Sequence, residues 1–456
     1  MQFHLKRNAA WSVIEALSSA VILFFLYKII VANLGIEALG VWSLVLATTS
    51  LMRLADAGAA SGLARFVAVH FAASPIAARK YIDTAILTNL GLYCVLALLF
   101  YLPAKYGLRL AIRNDTALQQ ACELLPYALA SFVLTNVAAA ASATLIGLHR
   151  ADLKSQVIIG GIIVQAAASV LLISTFGLVA MAQAQILQNL FCIFVSLALA
   201  KYVIDRKVGI LLPVKWKNSA FKEIVGFGAQ LQLSAIIIFL YDPITKFLMG
   251  TFGGLELTGI FELANRLVFQ TRALLVTPTQ ALVPAYAAAK LSSHEKLETL
   301  YSRSIAHIVA AGLPTMGALL VASPTISFIL LGSVNWLFIT LVMVLVSGWL
   351  TNLLAAPAYL MGVGTGLLKW NIAGNLLTTS TCLVLGFTLG EAFGGYGVAV
   401  AAAIAQASGS LLIAAKNCRA QSVRTTPKID EVLQVVRSIP YSLSQPLRKR
   451  FLLWRN

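Results

Sequence analysis

The chain has 456 residues, of which 59% are hydrophobic and 11% are charged, and its mean hydropathy is +0.85. So few charges cannot cover a water-soluble surface, which excludes an assembly of soluble domains. The net charge of +17 would suit nucleic acid in a soluble protein, but basic residues that flank membrane helices explain it better. We therefore expect a polytopic α-helical membrane protein without a nucleic acid partner.

Apolar runs long enough to cross a hydrocarbon layer of about 30 Å, which takes about 20 residues, occur twelve times. The N-terminal segment begins with Lys6 and Arg7, and the apolar run that follows has no small-residue cleavage site. We therefore expect this segment to be kept as the first span and not removed as a signal peptide. Pro103 is predicted to end the third span, and Phe176-Gly177 to join the fifth and sixth tightly. The predicted spans are 9–33, 38–60, 83–103, 119–147, 155–176, 178–200, 223–250, 257–287, 304–332, 335–361, 370–390 and 395–415.

The basic residues indicate an orientation. Of the 34 Lys and Arg residues, 26 fall on the side of the N-terminus, three fall in one opposite loop, and five lie inside spans. This bias predicts that both termini are cytoplasmic. Because each half has six spans, both halves enter the membrane from the same side. Their symmetry axis would therefore lie along the membrane normal.

An internal repeat relates the two halves. Gly40 falls on Gly259 and Arg53 on Arg272 at an offset of 219, and Lys28 falls on Lys246 at 218. Self-similarity over most of the chain indicates two equivalent units. Two further matches are Gly147 and Lys154 with Gly362 and Lys369, and Phe176-Gly177 with Tyr396-Gly397.

The repeat defines the predicted fold: an all-α membrane protein of twelve transmembrane helices in two pseudo-symmetric six-helix lobes. We place the N-terminal lobe at 1–200, a cytoplasmic basic linker at 201–222, the C-terminal lobe at 223–416 and a basic cytoplasmic tail at 417–456. Cations beside Phe451 and Trp454 allow two interpretations of the tail, contact with an anionic lipid headgroup layer or a disordered basic end.

Charged residues inside the spans are the candidate functional residues, because charge is costly in hydrocarbon. An alternative is pairing along one helix, since Asp242–Lys246 and Glu262–Arg266 are four residues apart. Lys28 and Lys246 could also reach the interface. Arg272 has no acidic neighbour at helical spacing. The full set is Glu15, Lys28, Arg53, Asp56, Asp242, Lys246, Glu262, Arg266 and Arg272.

Motifs for bond chemistry are missing. The glycines at 362, 364 and 366 lack the Lys-Ser/Thr of a nucleotide-binding loop, and no HExxH occurs. No extracytoplasmic loop exceeds about 16 residues, which leaves no room for the catalytic domain of a membrane transferase. We expect no cofactor, no metal and no enzyme activity, and infer that the protein moves a substrate.

Two segments carry a resemblance to a known family. LGIEALGVWSLVLATTSLMRLADAGAASGLARFVA (34–68) and FGGLELTGIFELANRLVFQTRALLVTPTQALVPAYAAA (252–289) resemble the second and eighth helices of bacterial polysaccharide and O-antigen flippases. These belong to the multidrug/oligosaccharidyl-lipid/polysaccharide exporter superfamily. The resemblance covers about 8–416 and leaves the tail outside.

The resemblance implies a two-lobe transporter with a cationic central cavity that works by alternating access. Its cargo would be an undecaprenyl-pyrophosphate-linked oligosaccharide, delivered from the cytoplasmic to the periplasmic leaflet of the inner membrane for lipopolysaccharide O-antigen or exopolysaccharide synthesis. Expected partners are membrane lipids, a polysaccharide polymerase and glycosyltransferases. The substrate-binding residues would be Arg53, Arg272, Lys28, Lys246 and Arg266.

The acidic residues leave a second hypothesis open. Glu15, Asp56 and Asp242 would be the ion-coupling residues, with H⁺ or Na⁺ as the ion. The same residues would serve an ion-coupled drug or cation antiporter of the superfamily. Five interior cations favour the flippase, because arginine binds phosphate oxygens in pairs.

Overall fold

The computed structural model is built of helices, and no strand occurs in the residues it describes. These residues are 2–52, 59–73, 75–204, 213, 215–426 and the tail positions 430, 432, 433 and 435. A 3₁₀ segment, Thr277–Leu282, joins α8 to α9. The helices are α1 (Gln2–Leu34), α2 (Ile36–Ser50), α3 (Ala59–Ala73), α4 (Pro75–Ala111), α5 (Asp115–Gly147), α6 (Ala151–Phe176), α7 (Val179–Ile204), α8 (Asn218–Val276), α9 (Val283–Ser292), α10 (His294–Leu331), α11 (Trp336–Gly364) and α12 (Lys369–Ala420).

The described helices account for the twelve predicted spans. Nine of them contain an apolar stretch long enough to cross a membrane, and α2 is a shorter apolar helix. The two longest, α8 and α12, each consist of two arms that meet at a kink, at Gly254 and at Gly394. Dividing both helices at their kinks and adding α2 gives twelve crossings, in the predicted order.

The joints between spans repeat in the two halves. Gly35 follows α1 with φ +82°, and its counterpart Gly254 divides α8 with φ +74°. Gly177 joins α6 to α7 with φ +54°, and Gly394 divides α12 with φ +62°. Glycine suits these joints because it adopts positive φ without steric cost. The sequence match of Gly177 with Gly397 is therefore displaced by three residues, since Gly394 makes the turn.

The helix starts repeat as well. Asn114 caps α5, where its side chain accepts hydrogen bonds from the backbone N–H groups of Thr116 and Ala117. Asn335 caps α11 in the same way, accepting from the N–H of Phe338. Such caps satisfy donors that have no partner within the helix. The internal repeat thus extends to local backbone structure.

Two predicted ends were wrong, both at prolines. Helix α4 continues through Pro103 to Ala111, because one proline removes a single hydrogen bond and apolar packing of Ala104 and Leu108 holds the last turns. The predicted span 257–287 is interrupted instead. Pro278 falls in the 3₁₀ segment, and α9 then starts with Pro284 in its first turn.

Contacts divide the chain into two compact units. The first comprises Met1–Leu263, Ile329–Ser333 and Phe387–Val398, and the second comprises Ala264–Phe328, Val334–Gly386 and Ala399–Asn456. The core of the first unit includes Leu63, Val67 and Ile82 and closes on Ile224 at the start of α8. The core of the second includes Tyr286, Tyr301 and Met361.

These units do not test the predicted lobes. Nine of the 22 residues of the predicted linker (201–222) and most of the tail (417–456) lie outside the described residues. The division into lobes at 1–200 and 223–416 therefore stays a prediction.

Candidate functional site

A close helix crossing in the first unit brings charged groups together. Helix α2 and the second arm of α8 meet at Gly40 and Gly259, which are equivalent positions of the repeat. A Cβ atom on Gly40 would collide with the carbonyl oxygen of Leu255, and one on Gly259 would collide with that of Ile36. The small residues therefore let the two backbones touch, as at many membrane helix interfaces.

One helical turn further along, a second pair of repeat-equivalent residues is in contact. Ser43 and Glu262 also differ by 219 in sequence, and Ser43 Oγ donates a hydrogen bond to Glu262 Oε2 at 3.1 Å. From α1, the hydroxyl of Tyr27 donates to Glu262 Oε1 at 3.0 Å. Both carboxylate oxygens of this residue, which is 3% exposed, thus accept hydrogen bonds from the first half of the chain.

The first arm of α8 supplies the compensating charge. Lys246 Nζ lies 2.9 Å from Glu262 Oε2 and 3.0 Å from Asp242 Oδ2. Lys246 is 5% exposed, whereas the side chain of Asp242 is 49% exposed. We call Tyr27, Ser43, Asp242, Lys246 and Glu262 the Glu262 cluster. With all groups ionised it carries two negative charges and one positive charge, so it is net anionic.

The cluster confirms one predicted pair and adds one that was not predicted. Asp242 and Lys246 pair along the helix as the i,i+4 spacing predicted. Glu262 also pairs with Lys246, because the kink at Gly254 turns the two arms of α8 toward each other. Lys28, the repeat equivalent of Lys246, is exposed.

A second cluster lies in the second unit, around Arg272. The guanidinium carbon lies 5.9 Å from the ring centre of Trp349 on α11. Trp349 is fixed in turn by its indole N–H, which donates to Asn265 Oδ1 at 3.2 Å, and by edge-to-face contact with Phe269. Tyr359 on α11 lies near enough to Arg272 to interact with its charge. We call Asn265, Phe269, Arg272, Trp349 and Tyr359 the Arg272 cluster.

Arg272 differs from Lys246 in its partners. Its Nε is buried and has no hydrogen-bond partner, and among the described side chains no carboxylate forms an ion pair with it. Buried polar groups are nearly always hydrogen-bonded, so an unsatisfied guanidinium nitrogen needs an explanation. An anion with several oxygens would satisfy it. Arg266, six residues earlier, is half-buried.

Glu15 belongs to a third site, again in the first unit. Its carboxylate pairs with Lys154 Nζ at 2.7 Å. Lys154 lines a cavity of about 450 Å³ between α5, α6 and α7, together with polar side chains that include Thr135, Gln188 and Asn189. The lysine of the repeated Gly147–Lys154 motif is thus neutralised by an acid from α1.

The structure separates the predicted site residues. It joins Asp242 to Lys246, pairs Glu15 with Lys154 and surrounds Arg272 with aromatic side chains. Arg53 and Asp56 lie outside the described residues. Within the described ranges, no group of His, Cys, Asp and Glu side chains could hold a metal ion.

Sequence reasoning missed the uncharged contributors to both clusters. Tyr27 and Ser43 are uncharged and were passed over, although Ser43 could have been found as the repeat equivalent of Glu262. Trp349 carries no signal that separates it from the other tryptophans.

The fold matches solved membrane transporters. An inward-facing multidrug resistance MATE family transporter of the MOP superfamily superimposes with a TM-score of 0.75 at 18% identity, covering 90% of this chain and 98% of the other. The lipid II flippase MurJ in an inward closed conformation gives 0.72 at 13%, covering 94% and 90%. A MOP superfamily transporter from Pyrococcus furiosus gives 0.63 at 15%, covering 92% and 95%. The chain therefore shares its fold with these solved structures.

The family follows from the sequence itself. A family model described as polysaccharide biosynthesis protein matches residues 34–341, about two thirds of the chain, so the chain belongs to that family. No curated protein matches the chain.

Proposed function

We propose that the protein is a flippase that moves an undecaprenyl-pyrophosphate-linked oligosaccharide from the cytoplasmic to the periplasmic leaflet of the bacterial inner membrane by alternating access. The product would serve the synthesis of a surface polysaccharide, an O-antigen or an exopolysaccharide. Membership of the polysaccharide biosynthesis family supports this proposal. So does the likeness of the fold to a lipid II flippase.

The observation that carries the proposal is the Nε atom of Arg272, which is buried and has no hydrogen-bond partner. A buried cation without a carboxylate is costly to maintain, so such a group is retained where a ligand supplies the negative charge. A pyrophosphate offers several oxygens to the planar guanidinium fork. The Trp349 ring holds the guanidinium in place without neutralising it.

The other cations have different roles in this proposal. Lys246 is already compensated by Asp242 and Glu262, so it would contribute to the substrate only after that cluster rearranges. Lys28 and Arg266 would contact substrate oxygens at other stages of transport. Arg53 is the repeat equivalent of Arg272 and would bind the same pyrophosphate.

Ion coupling is the second part of the proposal. The half-exposed carboxylate of Asp242 can accept H⁺ or Na⁺, and a bound cation would weaken its pair with Lys246. Glu15, beside the 450 Å³ cavity, and Asp56 are further coupling candidates. Both termini would be cytoplasmic, and a polysaccharide polymerase and glycosyltransferases would be the partners.

One observation favours a second function, an ion-coupled drug or cation antiporter. The Glu262 cluster is net anionic and would attract a cationic substrate. One of the superimposable structures is a multidrug resistance transporter. Under this alternative, Asp242→Asn would abolish export of organic cations, and Arg272→Ala would leave that export unchanged.

The test is complementation of a strain that lacks this gene. We expect Arg272→Ala to abolish or strongly reduce surface polysaccharide at a normal amount of membrane protein. A charge-assisted hydrogen bond is worth about 1.5–3 kcal/mol, or roughly tenfold to a hundredfold in affinity. Lys should rescue partly, because it keeps the charge but loses the fork, and Gln should not.

Arg303→Ala is the matched control, because Arg303 is an exposed arginine on α10. It should leave surface polysaccharide unchanged. Normal surface polysaccharide in a well-expressed Arg272→Ala strain would exclude the pyrophosphate role of Arg272.

A further inference from the structure

Three titratable side chains from separate helices form a hydrogen-bonded chain in the first unit. His70 Nε2 on α3 lies 3.0 Å from the hydroxyl oxygen of Tyr81 on α4. The Tyr81 hydroxyl lies 2.9 Å from Glu223 Oε2 near the start of α8. Aromatic packing holds the central residue, since the Tyr81 ring stacks on Phe66 and its centre lies 4.2 Å from that of His70.

The protons of this chain can be counted. His70 Nδ1 lies 2.9 Å from the backbone carbonyl oxygen of Phe66. A carbonyl oxygen can only accept, so Nδ1 carries a hydrogen and Nε2 of the neutral ring is an acceptor. An ionised Glu223 is also an acceptor. Tyr81 therefore stands between two acceptors with a single hydroxyl proton, and one of its two short contacts lacks a hydrogen.

One added proton completes both contacts. If it binds the ring, Nε2–H donates to the Tyr81 oxygen and the Tyr81 hydroxyl donates to the Glu223 carboxylate. If it binds Glu223, the carboxylic acid donates to Tyr81, which donates to Nε2. We propose that His70, Tyr81 and Glu223 form a binding site for one proton, and that the bound proton ties the start of α8 to α3 and α4.

The surroundings suit a proton that comes and goes. Tyr81 is buried, His70 is half-buried and Glu223 is at the surface, so the site opens to solvent at its glutamate end. On α4, Lys80 Nζ lies 5.2 Å from the Tyr81 ring centre, and the neighbouring Arg79 and Asp83 form an ion pair.

Other elements also pack near the site. The segment before α8 contacts α4 through the backbone N–H of Lys217, which donates to Thr84 Oγ1. From α5, Gly147 packs on Val67 and Ala64 of α3, next to the turn that carries His70.

The tie connects the two sequence halves. His70 and Tyr81 belong to the first half, and Glu223 belongs to the helix that opens the second. A proton at this site strengthens the attachment of α8, and its release weakens that attachment. This inference does not depend on the identity of the transported molecule, so it can fail or hold separately from the flippase proposal.

Nuclear magnetic resonance of the full-length protein in micelles tests the inference, with labelled histidine rings and glutamate carboxyl carbons. Between pH 9 and pH 5 we expect the ring signals of His70 and the carboxyl signal of Glu223 to change together in one transition, because Tyr81 links the two groups. Tyr81→Phe removes the hydrogen bond to the His70 ring, and Glu223→Gln keeps an acceptor for Tyr81 but removes its negative charge. Each variant should lower the proton affinity of the site by about tenfold. The His70 signal is assigned by its absence from the spectrum of the His70→Gln variant.

His307 is the matched control. Its Nδ1 also bonds the carbonyl oxygen four residues earlier, that of Arg303, at 2.6 Å. Its proton affinity should be the same in all variants. A His70 titration that Tyr81→Phe and Glu223→Gln both leave unchanged would overturn the inference, and so would a wild-type site that gains no proton in this range.

A second measurement tests the attachment of α8 to α3 and α4 in the wild-type protein. Amide hydrogen exchange of residues 218–225, corrected for intrinsic rates, should slow about threefold to tenfold when the site is protonated. Equal protection on both sides of the titration would overturn the tie between α8 and α3–α4.

Discussion

The Glu262 cluster and the Arg272 cluster show two ways of placing a cation within a helical membrane protein. Both include residues of the second arm of α8. In the first, Lys246 meets two carboxylates, and Glu262 accepts further hydrogen bonds from Tyr27 and Ser43. In the second, Arg272 meets the face of Trp349, and its Nε has no partner.

We interpret this difference as one between a charge that the protein itself compensates and a charge that a ligand would compensate. A buried ion pair that loses one partner leaves an uncompensated charge, which is strongly destabilising. Removing a buried cation that already lacks a carboxylate partner costs the protein little stability. We therefore expect substitutions in the Glu262 cluster to reduce stability, and substitutions at Arg272 to reduce transport.

The largest expected effect is that of Glu262→Ala. It removes one of the two carboxylates that contact the buried ammonium of Lys246, and Asp242, the other, is half-exposed. Breaking a buried pair in this way costs about 3–5 kcal/mol. We expect a lower unfolding temperature in detergent and a smaller amount of protein in the membrane.

The double substitution Lys246→Met with Glu262→Leu is the control for this prediction. Because it removes both buried charges together, it should recover a large part of the lost stability. If Glu262→Ala were as stable as the wild type, the cluster would not be structural. The contrast with Arg272 would then have no basis.

The next effect concerns the helix crossing that assembles the Glu262 cluster. Gly40→Ala places a methyl group against the carbonyl oxygen of Leu255, and backbone cannot move aside as a flexible side chain can. Overpacking of this kind costs about 1–3 kcal/mol. The unfolding temperature should fall, and the hydrogen bond between Ser43 and Glu262 should lengthen.

Gly91→Ala is the matched control for the crossing. Gly91 is an exposed glycine on α4, and a Cβ atom there would meet nothing within 4 Å. Alanine should be neutral or slightly stabilising, because it favours the helix. A Gly40→Ala protein as stable as Gly91→Ala would show that α2 and α8 do not pack this tightly.

The fold could be predicted from the sequence because its signals are local. The length of each apolar run defines a span, and Gly35 and Gly177 mark helix ends without help from distant residues. The i,i+4 pair of Asp242 and Lys246 is local in the same sense. Helix ends near prolines could not be predicted in this way, because α4 continues through Pro103 whereas Pro278 lies in a 3₁₀ segment. The outcome depends on the packing of the following turns.

The sites could not be predicted to the same depth. Glu262 has partners from α1, α2 and the other arm of α8, and its contact with Lys246 depends on the kink at Gly254. The environment of Arg272 depends on which face α11 presents to it. Contacts between residues so far apart in sequence have no periodic signature.

The smallest expected effect is that of Trp349→Leu. Leucine keeps an apolar side chain but removes the ring beneath the guanidinium of Arg272 and the indole N–H that bonds Asn265. A cation–π contact at a buried position is worth about 1–2 kcal/mol. Arg272 would stay charged but less fixed, so transport should fall about fivefold to tenfold without being abolished.

The exposed Trp336, on the same helix, is the matched control, and Trp336→Leu should leave transport unchanged. Transport is compared per amount of membrane protein, because Trp349 is buried and Trp336 is exposed, so Trp349→Leu also removes packing. Transport lost as completely in Trp349→Leu as in Arg272→Ala would mean that the ring itself contacts the substrate. Unchanged transport in Trp349→Leu would mean that Arg272 is held in place by the ligand alone.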